Sequence, residues 1–194
     1  MPLIQRVYSV LIVSAAEKFN NSLAALLPEK DFFPIDTAES VNEAQRKVLE
    51  KSYDLVFINA PLPDDFGRRF AIDISSNNTT VVLLFVKNEI YDEVYSKVYE
   101  HGVLTMRKPT ATQTLEQSLD GMRAVRERLR RMEKKAVSLE EKMSEIRTVN
   151  RAKWVLIDSL KMTEEDAHRY IEKQAMDRCV SKTEIAEGIL KTYK

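Results

Sequence analysis

Residues 115–146 read LEQSLDGMRAVRERLRRMEKKAVSLEEKMSEI, and the recurrence of apolar residues along them decides how the rest of the chain divides. With Leu115 at an a position, the a residues are Leu115, Met122, Leu129, Ala136 and Met143. The d residues are Ser118, Val125, Met132, Leu139 and Ile146. Nine of these ten are apolar. A 3.5-residue repeat held over roughly four to five heptads is the pattern of a helix that supercoils on a partner. Arg, Lys and Glu fill most positions between, so only a narrow seam is left to bury. The pattern predicts a parallel homodimeric coiled coil with a domain at each end, in preference to a helix lying across its own domain. The nine apolar residues then form the dimer interface.

Outward from that stretch, proline and glycine mark the divisions. All six prolines fall at or before Pro109, and neither residue occurs between Gly121 and Gly188. The chain therefore divides into a turn-rich domain over 1–111, the coiled-coil helix over 112–146 and a helical domain over 147–194. The formal net charge is zero over 194 residues, but residues 1–111 carry a balance of −3 and residues 112–194 one of +3. That asymmetry permits a nucleic-acid partner at the C-terminal end. A lone cysteine, Cys179, rules out an internal disulfide and fits a reducing cytoplasm. The longest apolar run, Val81 to Val86, is too short to span a bilayer, and the N-terminus lacks the features of a signal peptide. A cytoplasmic protein with no membrane partner is expected.

In 1–111, apolar runs at 7–14, 33–38, 54–59, 81–86 and 102–106 alternate with stretches of helical periodicity. Ser40 with Glu43 forms a capping-box pattern ahead of the second helix. Five strands alternating with helices make an α/β fold, a doubly wound five-stranded parallel sheet. The order, the stretch DLVFINAPLPDDFG (54–67) after the third strand and GVLTMRKP (102–109) at the fifth resemble the receiver domains of two-component response regulators.

In that family an acidic pair holds Mg²⁺, an aspartate accepts a phosphoryl group, and a Thr/Ser and a Lys read it. Those positions fall here on Ser14 and Ala15, on Asn59, on Phe85 and on Lys108, so only the lysine matches. Mg²⁺ binds through carboxylates and phosphate oxygens, which Ser and Ala do not supply. The amide of Asn59 is no substitute for a carboxylate nucleophile. The resemblance therefore implies a pseudo-receiver, with Lys108 bonded to Asn59 or to backbone carbonyls and the Lys108–Pro109 bond cis as in the family. Asp54, Asp64 and Asp65 are read as structural. The vacated crevice is open to a protein or a small ligand.

Beyond Ile146 the apolar face broadens over Ala152, Val155, Leu156, Ser159 and Leu160. Thr163 caps a second helix with Ala167, Tyr170, Ile171 and Ala175 inward; Ser181 caps a third with Ile185, Ala186, Ile189 and Leu190 inward. Alanine at each close contact lets three helices pack tightly. RAKWVLID (151–158), TEEDAHRYI (163–171), QAMDR (174–178) and KTEIAEGIL (182–190), in that order, resemble an ANTAR domain, the RNA-binding output module of many bacterial response regulators. Trp154 departs from the family, where glycine is common, and offers either an obstruction or a stacking platform.

The resemblance implies an antiterminator: a dimer that binds paired stem-loops of nascent leader RNA. Arg147, Arg151, Lys153, Arg178 and Lys182 are the RNA-contact candidates, because cations must meet phosphates, and Arg151 and Lys153 rank first. Two alternatives remain, a dimeric interaction protein whose helical end docks on a protein and a conventionally phosphorylated response regulator. No nucleophile–base pair, metal-ligand cluster or phosphate-binding glycine loop stands out, so the sequence points away from an enzyme, a cofactor or a metal.

Overall fold

The computed structural model describes residues 6–77 and 79–193. Contacts divide the chain into two units, Met1–Arg131 and Met132–Lys194. The boundary thus lies some way inside the long helix, and not at residue 111 as expected from proline placement.

The N-terminal unit runs β1 (Tyr8–Val13), α1 (Glu17–Ala24), β2 (Phe32–Ala38), α2 (Val41–Glu50), β3 (Leu55–Asn59), α3 (Arg68–Asn77), β4 (Val81–Lys87), α4 (Tyr91–Val98) and β5 (Leu104–Lys108). The strands form one parallel sheet in the order β2-β1-β3-β4-β5. This is the doubly wound fold expected from the alternation of strands and helices. Alternate residues of the central strands enter two cores. Leu11, Val13, Val56, Ile58, Val82 and Leu84 face one layer, and Val10, Ile12, Leu55, Phe57, Leu83 and Phe85 face the other. Ser40 caps α2 by accepting from the N–H of Glu43; the returning Glu43 carboxylate takes the N–H of Glu39 instead of closing on Ser40. No helix among the described residues is long and apolar enough to cross a membrane.

The long helix, α5, spans Thr112–Leu160. Its first turns do not leave the domain. Leu115, Leu119, Met122 and Leu129 pack into the second core, with Met122 fully buried. Met122 is therefore corrected from the expected dimer seam, and Leu115 and Leu129, expected there too, are partly covered by their own domain. Val125, expected on the same seam, is exposed.

Arg126 lies in line with the buried residues and is itself buried. Its Nε donates to Asp54 Oδ1 at 2.7 Å, and Arg130 Nη2 reaches the same oxygen at 2.9 Å. Asp54 Oδ2 accepts from the Ser9 backbone N–H at 3.0 Å. Burial pushes the Asp54 carboxyl up, but the Ser9 N–H and the Arg126 guanidinium outweigh it and hold it below the usual carboxylate range.

The C-terminal unit adds α6 (Glu164–Arg178) and α7 (Lys182–Thr192) to the end of α5. Ala152, Leu156, Ala167, Ile171, Ala175, Ile185, Ala186 and Ile189 are its buried core. Thr163 and Ser181 accept from the N–H groups of Asp166 and Glu184, capping α6 and α7. Tyr170 and Leu160, expected inward, are exposed.

Asp54→Asn should lower the stability of the N-terminal unit by about 3 kcal/mol, since it leaves a buried guanidinium without its counter-charge. Because the folded pKa lies below the unfolded value of about 3.9, the stabilisation is complete above that value and is lost as pH falls through the folded one. Urea unfolding should show a constant deficit from about pH 5 upward that narrows in more acidic solution.

Candidate functional site

Two regions carry the residues singled out by sequence. The first is the crevice at the C-terminal ends of the strands. Ser14, just past β1, is fully buried. Its Oγ accepts from the backbone N–H of Ala16 at 3.1 Å and from Asn59 Nδ2 at 3.0 Å. Asn59, the last residue of β3, accepts on Oδ1 from Lys108 Nζ at 2.5 Å. Lys108 also donates to the Ala60 carbonyl at 2.6 Å, and the Lys108–Pro109 bond is cis. An ammonium only donates, so the amide of Asn59 must turn its oxygen to Lys108 and its nitrogen to Ser14.

Phe85 is in register with Asn59 and buried, its ring edge-on to Phe19 at 5.0 Å between centroids. Ala15 is exposed and brings only a methyl group. Lys108, Asn59 and Ser14 thus form one hydrogen-bonded line, Phe85 stands next to it, and Ala15 takes no part.

The charges around this line are one-sided. Burial pushes the Lys108 ammonium down from its ordinary value, and Lys87, its partner in the β4–β5 register, adds to the effect. Among the described residues no carboxylate pairs with Lys108. The nearby loop aspartates are engaged elsewhere. Asp64 accepts from the backbone N–H groups of Val41 and Asn42, both at 2.9 Å, and so caps α2. Those two N–H groups, Asn42 first, hold its carboxyl below the usual range. Asp65 accepts from the Gly67 N–H at 2.6 Å. No group of three or more potential metal-ligating His, Cys, Asp or Glu side chains occurs among the described residues.

The second region is the helical C-terminal unit, where the five candidate cations have different surroundings. Lys153 is mostly covered and its Nζ lies 3.0 Å from Glu164 Oε1, tying α5 to the start of α6. Lys182 pairs with Glu172. Both lysines line one groove of about 420 Å³ with Asn150 and His168. Arg178 lines a second of about 390 Å³ with Tyr170 and Gln174. Arg151 lines a third of about 340 Å³ with Lys191 and Tyr193. The five do not share one groove. Arg147 and Arg151 are exposed, and Trp154, at 70% exposure, follows them at helical spacing on the same face. Lys191 and Tyr193 were not singled out by sequence; a lysine and a tyrosine two positions apart, just past the last aliphatic residue of α7, were the available signal.

Residues 138–190 match the model of the ANTAR domain family. Over 183 residues the chain is 25% identical to the transcriptional regulatory protein PdtaR of Mycobacterium tuberculosis, covering 94% of this chain and 89% of that protein. Among solved structures, the signal receiver domain of an HD domain-containing protein from Pseudomonas fluorescens Pf-5 superposes with a TM-score of 0.57 at 20% identity, covering 69% of this chain and 96% of that one. A two-component response regulator from Clostridium difficile gives 0.53 at 24%, covering 64% and 98%. A receiver-like fold thus precedes residues that match the ANTAR domain.

Exposure separates surface from core in the C-terminal unit. Trp154→Ala should change its stability by less than about 0.5 kcal/mol. Leu156→Ala, two positions on and buried, should cost about 2–5 kcal/mol. Thermal melts of the two variants followed by circular dichroism would check the contrast.

Proposed function

We propose that this protein is a response regulator that acts as a non-enzymatic antitermination regulator, binding stem-loops of nascent leader RNA as a dimer, and that its receiver crevice takes no phosphoryl group. A transcript target makes the cytoplasm its place of work. The observation that carries the RNA reading is the exposed stripe Arg147–Arg151–Trp154 on α5, with Arg151 sharing a groove with Lys191 and Tyr193. Cations meet phosphates, and exposed aromatic rings stack on the unpaired bases of a loop. Lys153 and Lys182, already paired with carboxylates, serve better as braces of the bundle than as contacts. Arg178, beside Tyr170, flanks the main stripe as a secondary contact.

The dimer reading rests on the uncovered part of the seam. Met132, Leu139, Met143 and Ile146 are each about half exposed or more, and Ala136 between them is exposed too. A second copy of the same helix covers such a seam at 3.5-residue spacing. The crevice reading rests on its donors. Mg²⁺ needs carboxylate or phosphate oxygens. Here the hydroxyl of Ser14 already accepts two hydrogen bonds, and the amide oxygen of Asn59 is held by an ammonium. These residues do not fit the ion, and no step of the mechanism runs through one. The dimer is then set by its seam and not by phosphorylation.

Binding to a two-hairpin leader RNA, titrated against salt, tests the first part. Affinity should fall steeply with salt, and Arg147→Ala and Arg151→Ala should each weaken binding and reduce the salt slope by about one. A flat response, or no binding, would transfer the helical unit to a protein-docking role. Sedimentation at micromolar concentration without a phosphodonor tests the second. The wild type should run as a dimer and Leu139→Lys as a monomer. Met122→Ala should keep the dimer mass while destabilising the sheet domain by about 2–5 kcal/mol.

A further inference from the structure

We propose that the N-terminal unit binds a small apolar carboxylate, its anionic end on Lys108 and its body in the cavity bordered by α1, β4 and the start of α5. This rests on the reading that the crevice takes no phosphoryl group, because a phosphorylated site would supply its own anion to the lysine.

The charge argument comes first. Lys108 is only partly exposed and its acceptors are both neutral, the amide oxygen of Asn59 and the carbonyl of Ala60. An ammonium has three donors, so one N–H has no protein acceptor among the described residues. A half-buried cation facing neutral oxygens lacks the counter-charge that normally offsets its desolvation. Lys87 beside it raises the positive potential further, adding to burial in pushing the Lys108 ammonium down. The loop carboxylates that might have answered it are spent on backbone N–H groups, Asp64 at α2 and Asp65 at Gly67. The site wants an anion from outside.

The cavity decides what kind of anion. It has a volume of about 270 Å³ and is walled by Phe19, Leu23, Leu26, Phe85 and Leu115, with Lys108 in the same lining and no carboxylate in it. An apolar cavity of about 150 Å³ holds benzene, so this one has room for a ring or branched chain bearing a carboxylate. Phe85 is central: a hydroxyl residue at that position would present a polar group, whereas the phenyl ring, fixed edge-on to Phe19, supplies wall. A bare inorganic anion would satisfy the lysine and leave the cavity unfilled. A neutral ring would fill the cavity and leave the lysine unanswered. The two features together select a molecule that has both.

The full-length chain, isotope-labelled at leucine methyl groups, can be titrated with benzoate, with benzamide as its uncharged counterpart and with inorganic phosphate. Benzoate should give saturable shifts at Leu23, Leu26 and Leu115, with benzamide and phosphate each at least tenfold weaker. Lys108→Met should weaken benzoate at least tenfold. Ser22→Trp, at an exposed position of α1 that also lines the cavity, should do the same while leaving the bonds of Lys108 in place. Benzamide or phosphate equalling benzoate, shifts located elsewhere, or no saturable shift would each overturn the inference. Intact mass after acetyl phosphate with Mg²⁺ separates the two levels. An adduct overturns the underlying reading of the crevice, whereas no adduct together with no benzoate binding overturns the ligand alone.

Discussion

The carboxylate of Asp54 receives two guanidinium groups from α5 and an N–H from β1, and this one buried charge cluster fixes how the long helix is turned against the sheet. A helix whose apolar residues recur every 3.5 positions has two stripes that share the a positions. One continues through the d positions, Ser118 and Val125. The other passes through Leu119 and Arg126. The pairing of Arg126 with Asp54 selects the second: Leu119 is buried and Val125 is exposed. From Met132 onward no sheet remains to cover the helix within its unit, and the seam stands open. The apolar surface left open on α5 is therefore what the sheet does not use.

The crevice is governed by a related imbalance with the opposite outcome. At Asp54 an acid is answered by bases and the charges close on themselves. At Lys108 a base stands beside Ser14 and Asn59, neither of them an acid, and the two side chains form a neutral hydrogen-bonded line to the lysine. Low dielectric around a partly buried site makes the residual positive charge count for more than it would on the surface. The fold's usual ligand crevice thus holds a cation among neutral partners.

Much of this was legible in the residues. The five strands, the three helical caps at Ser40, Thr163 and Ser181, and the alanines packed at the core of the C-terminal unit are local features, set by periodicity and by side chains three or four positions apart. Lys108 was expected to bond to Asn59 or to backbone carbonyls, and it bonds to both. Tyr170 was misread for an equally physical reason. It lies on a helical stripe with Ile171 and Ala175 nearby, yet its ring stands at the edge of a bundle too small to enclose it. Asp64, read as structural, is so through α2, which lies 22 and 23 positions away in the chain and brings two bare N–H groups to it.

By itself, the sequence determined the order of elements, the doubly wound sheet, the heptad repeat and the three-helix core, since each depends on spacing along one segment. Tertiary structure alone decided which stripe of α5 turns inward, that Arg126 is interior, that Lys153 and Lys182 are paired while Arg147 and Arg151 are open, and that an apolar cavity adjoins Lys108. Those outcomes turn on contacts between residues distant in the chain, and a buried charge can be told from a solvated one only when its partner is in view.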